Sequence, residues 1–252
     1  MPQRLDRTWI RIAIFYAVAL SFSYLARFWW HTSDPSDPTH GPLAMYLHLV
    51  SALGPFLGAW LVWLLFRPEA RLSYAGTSLP ISLSMLAVPV ALFGAMGVDN
   101  AYGMDRHLFG VHLGIWIALY AILEETGWRG YLQQEFRDRP ALLRYVIVGL
   151  FWYAWHFSFL IGHTVSGEIL GLGMVVAAAI GIGFVADRTH SIFAAASFHV
   201  VGNILGTTHE FSALIPSSRT RLLVVLICVG IWLAMMRVWK MRENRMAAGA
   251  RA

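Results

Sequence analysis

Long apolar runs separated by short polar segments dominate this chain of 252 residues. A helix needs about 20 largely apolar residues to cross a bilayer, because each residue adds about 1.5 Å and the hydrocarbon core is about 30 Å thick. Eight runs meet or approach this length: 9–30, 46–66, 79–98, 107–132, 142–162, 168–186, 192–206 and 222–239. The pattern therefore predicts an all-α fold, a polytopic transmembrane helical bundle of about eight spans.

Composition agrees with a membrane location. Apolar residues make up 58% of the chain and charged residues only 13%, whereas about 25% of the residues in an ordinary soluble domain are charged. The chain therefore lacks the polar surface that a soluble globule requires. No internal repeat or shift in composition marks a second domain. We expect residues 1–252 to form a single membrane domain.

Arginines cluster at the ends of the apolar runs, and this distribution predicts orientation. The clusters contain Arg4, Arg7, Arg11, Arg67, Arg71, Arg137, Arg139, Arg144, Arg237, Arg242 and Arg245. Cations at span ends face the cytoplasm, so we expect both termini to be cytoplasmic. The net charge of +5 is explained by this topology, and we expect the lipid bilayer rather than nucleic acid as a partner. A composition rich in arginine, alanine and glycine favours a bacterial plasma (inner) membrane.

Charged residues stand inside the fourth apolar run, where an unpaired charge costs several kcal/mol. Glu125 and Arg129 are four residues apart, with the acid first, which favours an ion pair on one helix face. Glu124 points about 100° away around the helix, so we expect it to face the bundle interior as the reactive carboxylate. Alternatively, the helix ends at Leu123 and all three charges lie among the lipid headgroups.

Two later runs add histidines. His156 follows Trp152 by one turn, and stacking of that indole could hold the imidazole ring. His199 and Asn203 are four residues apart and share one helix face. Taken singly, each is compatible with a structural role, since histidine and asparagine bridge membrane helices for roughly 0.6 to 2 kcal/mol. Together, one carboxylate, two histidines and one amide on three helices indicate a catalytic site.

The residues leave several chemistries open. One glutamate and two histidines could bind zinc as three ligands, although His-Glu-x-x-His is absent and we expect no cofactor. A serine nucleophile is less favoured, because the Gly-x-Ser-x-Gly motif is absent. A scaffold or bacteriocin-immunity-type protein without protease activity would use the polar groups only to join helices. A transporter would use them as relay groups, but no duplicated pattern of broken helices is present.

These motifs resemble those of the CPBP family of intramembrane proteases, also called the Abi or CAAX-protease-like family, which includes the type II CAAX prenyl endopeptidases. The first motif, Glu-Glu-x-x-x-Arg, matches Glu124, Glu125 and Arg129. The second, Phe-x-x-x-His, matches at His156 but has Trp152 in place of Phe. The third, a histidine followed four residues later by asparagine, matches His199 and Asn203. The resemblance covers a family-like catalytic core of about 111–206.

The resemblance implies a glutamate-dependent intramembrane endopeptidase. Glu124 and His156 would activate water, and His199 with Asn203 would form the oxyanion hole. The supporting residues would be Glu125, Arg129 and Trp152. Substrates of such enzymes are membrane-associated proteins or lipidated or leader peptides.

Overall fold

The computed structural model of the chain describes residues 2–28, 49–69, 72–156, 164–204 and 217–249. These residues form eight principal helices and no strand, so the predicted all-α class is confirmed for this part of the chain. The helices are α1 (Pro2–Phe28), α2 (Leu49–Phe66), α3 (Leu79–Met96), α4 (Arg106–Gly127), α5 (Ala141–Trp155), α6 (Val165–Thr189), α7 (Ile192–Ile204) and α8 (Ser218–Gly249).

Six of the eight helices in the described residues are long and apolar enough to cross a membrane. They are the stretches Arg7–Ala26, Leu49–Phe66, Leu79–Met96, Arg106–Glu135, Val165–Thr189 and Arg219–Arg242. Helix α5 has only 15 residues and α7 only 13. The predicted count of eight spans is therefore not confirmed, and the last residues predicted for the fifth and seventh spans, 157–162 and 205–206, lie outside the described residues.

The fourth helix does not end before its charged residues. Asp105 caps its start by accepting hydrogen bonds at 3.0 Å from the backbone N–H groups of His107 and Leu108. After Gly127 the helix continues as a π-helical segment, Trp128–Leu132, and a final turn, Gln133–Glu135. Together these segments make one continuous helix, Arg106–Glu135, which keeps the label α4. A bidentate ion pair from Arg11 to Glu135, at 2.9 and 2.6 Å, ties this end to α1. The helix thus carries Glu124, Glu125 and Arg129 through the bundle.

Glycines allow the helices around α4 to approach closely. A Cβ atom at Gly110 or Gly114 would lie 2.1 or 2.7 Å from the α3 backbone. Gly54 and Gly58 have the same role between α2 and α1, where added Cβ atoms would lie 2.6 and 2.5 Å from carbonyl oxygens. Both pairs are Gly-x-x-x-Gly sequences, a spacing that aligns two small residues on one helix face. Sequence pattern and packing therefore agree at these crossings.

Helix α4 runs through two apolar cores. Its first part, including Ile117 and Ala121, packs in a core with residues of α3, α7 and α8. Its end, including Trp128 and Leu132, packs in a second core with residues of α1, α2, α5 and α6. The two carboxylates of residues 124 and 125 lie between these parts of the helix. Many large apolar side chains elsewhere are exposed, as expected for a surface in contact with lipid.

Candidate active site

The charged residues of α4 are buried inside the protein. Glu124 is 1% exposed, and Glu125 and Arg129 are both fully buried. The alternative in which these charges lie among lipid headgroups is therefore wrong, because the helix continues past them and the surrounding helices cover them. Buried charges are tolerated only when they are paired and hydrogen-bonded.

Two tryptophans hold the Glu124 carboxylate. The indole N–H of Trp152, on α5, donates to Oε2 at 2.7 Å, and that of Trp128, one turn further along α4, donates to the same atom at 3.3 Å. Hydrogen bonds to a carboxylate are stronger than those between neutral groups. The side chain of Glu124 therefore has a defined orientation toward α5.

Glu125 is the centre of a second hydrogen-bonded group. Its Oε1 atom accepts from Nη1 of Arg129 at 2.8 Å, which is the ion pair predicted from their spacing. The same atom lies 2.6 Å from Nδ1 of His199 on α7. Glu125 therefore joins α4 to α7 as well as balancing the arginine, a connection that sequence spacing did not predict.

His156 lies at the C-terminal end of α5 and is half-buried. Its Nδ1 atom is 2.7 Å from the backbone carbonyl of Trp152. Because a carbonyl oxygen only accepts, Nδ1 carries the proton. In the neutral ring the lone pair is then on Nε2, which is the form required of a general base.

The indole of Trp152 lies among the other groups of the site. Its ring centroid is 5.5 Å from that of His156 and 4.9 Å from that of His199. The guanidinium carbon of Arg129 lies 4.7 Å from the same indole, within cation–π distance. This residue thus contacts both histidines, the arginine and, through its N–H, Glu124.

Asn203 lies one turn beyond His199 on α7 and is half-buried.

The start of α7 is held by Ser73 and Tyr74, in the segment between α2 and α3. Ser191 Oγ donates to the carbonyl of Tyr74 at 2.8 Å, and the Ile192 N–H donates to that of Ser73 at 2.9 Å. The Tyr74 hydroxyl is 3.2 Å from the hydroxyl of Thr126, the residue after Glu125. These bonds set the position of α7, and hence of His199 and Asn203, relative to α4.

Nitrogen donors engage both glutamates of the site. The Glu124 carboxylate is bound by indole N–H groups, and Glu125 is bound by a guanidinium. Within the described ranges, no group of three or more histidine, cysteine or acidic side chains is arranged to hold a metal ion.

The hydroxyl of Ser197 donates to the carbonyls of Phe193 and Ala194, so it is engaged by its own helix.

Three contacts of the site were not predicted from the sequence: the bonds from Trp128 and Trp152 to Glu124, and the bond between Glu125 and His199. Trp128 follows Glu124 by four residues, so the spacing rule that identified the Glu125–Arg129 pair could also have identified this donor. No comparable signal exists for the bond between Glu125 and His199, because those residues are on different helices and 74 positions apart.

Residues 106–205 match the family model described as type II CAAX prenyl endopeptidase, Rce1-like. No curated protein matches the chain significantly. The matched stretch contains the three motifs and the whole buried polar cluster. Together with the all-α bundle and its six helices of membrane-spanning length, this match supports the resemblance of residues 106–205 to the CPBP, or CAAX-protease-like, family of membrane proteases.

Proposed function

We propose that this protein is an intramembrane endopeptidase that hydrolyses a peptide bond in a membrane-associated protein or in a lipidated or leader peptide. Glu124 and His156 activate the attacking water, and His199 and Asn203 stabilise the oxyanion. The observation that carries the proposal is the convergence of Glu124, His156 and His199 around Trp152, on three helices.

Hydrolysis inside a bundle needs a base because lipid supplies none. Glu124 is an acceptor, and the neutral ring of His156 has its lone pair on Nε2. A water between them loses a proton to one of these groups as its oxygen bonds to the substrate carbonyl carbon. When the C–N bond breaks, the same proton passes to the leaving nitrogen. The products are a carboxylic acid and an amine, which ionise to a carboxylate and an ammonium group on release, and the enzyme returns to its starting state.

The oxyanion requires donors, and the contact with Glu125 orients His199 for this role. Its Nδ1–H donates to Glu125, and when the ring is protonated on both nitrogens its Nε2–H is the donor to the tetrahedral intermediate. Asn203, on the same face of α7, supplies an amide N–H as the second donor.

Glu125 and Arg129 support this arrangement. Oε2 of Glu125 and the Nε and Nη2 atoms of Arg129 have no hydrogen-bond partner among the described residues. Buried polar atoms of this kind are ordinarily satisfied by an ordered water or a bound group. The cluster can therefore bind a further polar group, such as water or part of the substrate backbone.

We propose the bacterial inner membrane as the cellular setting, with both termini in the cytoplasm. The composition rich in arginine, alanine and glycine supports the first, and the arginine clusters at the ends of the apolar runs support the second. Single cysteines placed at the two termini and tested with a membrane-impermeant thiol reagent in intact cells would check the orientation. Labelling of either terminus from outside would contradict it.

Cleavage by the purified protein tests the activity. The native chain in detergent is incubated with a library of host membrane proteins and peptides, in parallel with Glu124→Gln at equal folded yield. The amide of glutamine still accepts the indole hydrogen bonds, so the fold is retained while the base is lost. We expect cleavage to fall by at least about 100-fold.

Glu69→Gln is the matched control, because Glu69 is 63% exposed and its carboxylate pairs with Arg137. It should cleave as the native chain does. If the folded native protein cleaves nothing, the proposal is wrong and the polar cluster serves to join helices in a scaffold or immunity-type protein.

A further inference from the structure

Two indole N–H groups converge on one oxygen of Glu124. The bond from Trp152 is the shorter, at 2.7 Å against 3.3 Å for Trp128, and it is the one that connects different helices. Both indoles are buried, with Trp152 4% and Trp128 0% exposed. Bulk water therefore cannot readily replace either donor.

The hydrogen bond from Trp152 depends on which residue occupies this position of the motif. The resemblance described above has phenylalanine at this position, one turn before the histidine. A phenylalanine ring would keep the contacts with the neighbouring rings but has no N–H group. The hydrogen bond to Glu124 is therefore a property of the tryptophan in this chain.

We infer that Trp152 is a positioning residue, which sets the orientation of the Glu124 carboxylate relative to His156 through its indole N–H. Its backbone carbonyl binds Nδ1 of His156, so a single residue holds the carboxylate and selects the tautomer of the imidazole. Because both indoles bind Oε2, they limit rotation of the carboxylate group and thereby fix the direction in which Oε1 points. The catalytic part of this inference rests on the proposed function.

Loss of the donor should affect the chemical step more than binding. Without the shorter bond from Trp152, the carboxylate is less restrained and can rotate away from the water. A hydrogen bond to a charged group accounts for about a tenfold to 100-fold change in an equilibrium or rate. We expect kcat to fall by that factor in Trp152→Phe, while KM stays within about twofold, since a group acting only in the transition state leaves substrate binding unchanged.

Two further variants separate positioning from folding. Replacement of Trp152 by 3-benzothienylalanine, introduced by amber suppression, keeps the shape of the ring system but puts sulfur in place of N–H. It should lower kcat as Trp152→Phe does. Trp232→Phe is the matched control, because Trp232 is equally buried and its N–H donates at 2.8 Å to the carbonyl of Met85, away from the site. It should retain the native kcat.

A spectroscopic measurement tests the bond without relying on activity. In protein labelled with 15N-tryptophan, the indole signal missing from Trp152→Phe identifies residue 152. That signal should move in Glu124→Gln, where a neutral amide replaces the carboxylate, and should stay in place in Glu69→Gln. An unchanged signal in Glu124→Gln, or native kcat in the benzothienyl variant, would overturn the inference. If the native chain cleaves no substrate, the proposed function fails, and the indole signal alone decides whether Trp152 holds Glu124.

Discussion

His199 on α7 and Glu125 on α4 are joined by a 2.6 Å contact between Nδ1 and Oε1, and both side chains are almost completely buried. The contact makes the second glutamate of the motif more than a partner for Arg129. It connects the helix that carries Glu124 to the helix that carries His199 and Asn203. This carboxylate therefore contributes to the relative position of the two helices.

Loss of that carboxylate should destabilise the protein. In Glu125→Gln, Arg129 keeps its charge but loses its counter-ion in a fully buried position. Breaking a buried ion pair in this way costs about 3–5 kcal/mol, because one uncompensated charge remains. We expect a clearly lower thermal midpoint for Glu125→Gln in detergent, monitored by circular dichroism, with loss of cleavage.

The double variant Glu125→Gln with Arg129→Met supplies the control. It removes both charges of the pair, so it should recover part of the lost stability without recovering activity. A double variant less stable than the single one would show that the arginine is held by contacts other than this ion pair.

The crossing of α4 and α2 at Gly127 should not accommodate the added methyl group of an alanine. A Cβ atom there would lie 2.6 Å from both Cβ and the carbonyl oxygen of Pro55 on α2, and the backbone atom cannot move aside cheaply. We expect Gly127→Ala to cost about 1–3 kcal/mol as overpacking. The measurement is thermal unfolding in detergent.

Gly181→Ala is the matched control for this crossing. Gly181 is also within a helix, but a Cβ atom added there meets nothing within 4 Å. This variant should be neutral or gain up to about 1 kcal/mol from the higher helix propensity of alanine. Equal destabilisation of the two variants would argue against a close approach of α4 to α2.

The cap of α4 should depend on pH. Hydrogen bonds from the backbone N–H groups of Leu108 and His107 lower the pKa of the Asp105 carboxyl from its ordinary value of 3.8. A lowered pKa means that the cap contributes its full stability above that ordinary value and loses it as the pH falls through the lower, folded-state pKa. Native protein should thus lose stability in this acid range.

Two variants isolate the cap from other acid-sensitive groups. Asp105→Asn keeps a good capping oxygen that does not titrate, so the stability contributed by the cap should persist in acid. Asp105→Ala should have lower stability at neutral pH and lack this component of the acid dependence. Identical acid profiles for the native chain and Asp105→Asn would show that the cap does not titrate as expected.

Cleavage should not require a metal ion. The oxygens of Glu124 and Glu125 are engaged by nitrogen donors, and we assign water activation to Glu124 and His156. We expect full activity after prolonged dialysis against EDTA and in the presence of 1,10-phenanthroline. Activity that disappears on dialysis and returns with added zinc would assign the histidines to a metal instead.

Much of the fold was accessible from hydropathy, because a long apolar helix leaves a simple signal in the sequence. Residues 79–98 were predicted as a span, and the structure has Leu79–Met96. The short helices α5 and α7 were harder to classify, since hydropathy separates a membrane span from a buried helix only by the length of the apolar run. Their apolar content comes in part from packing against other helices, which composition cannot distinguish from contact with lipid.

The candidate site was only partly accessible in the same way. Contacts within one helix follow from spacing, as for Glu125 and Arg129. Contacts between helices depend on crossing angles and register, which local spacing does not contain. The bond from Trp152 to Glu124 therefore came from the structure, although tryptophan in place of phenylalanine had marked the position as unusual.

The π-helical segment divides α4 into two parts with different angular phase. The backbone N–H of Gln133 bonds to the carbonyl of Trp128, five residues earlier, so this turn holds one residue more than an α-helical turn. Deleting one residue here would rotate everything after it by about 100°. Glu124 and Glu125 would keep their direction, while Gln133 and Glu135 would turn away from Asp187 and Arg11, their present partners. One extra residue thus lets a single continuous helix direct Glu124 and Glu125 independently of its anchoring side chains, Gln133 and Glu135.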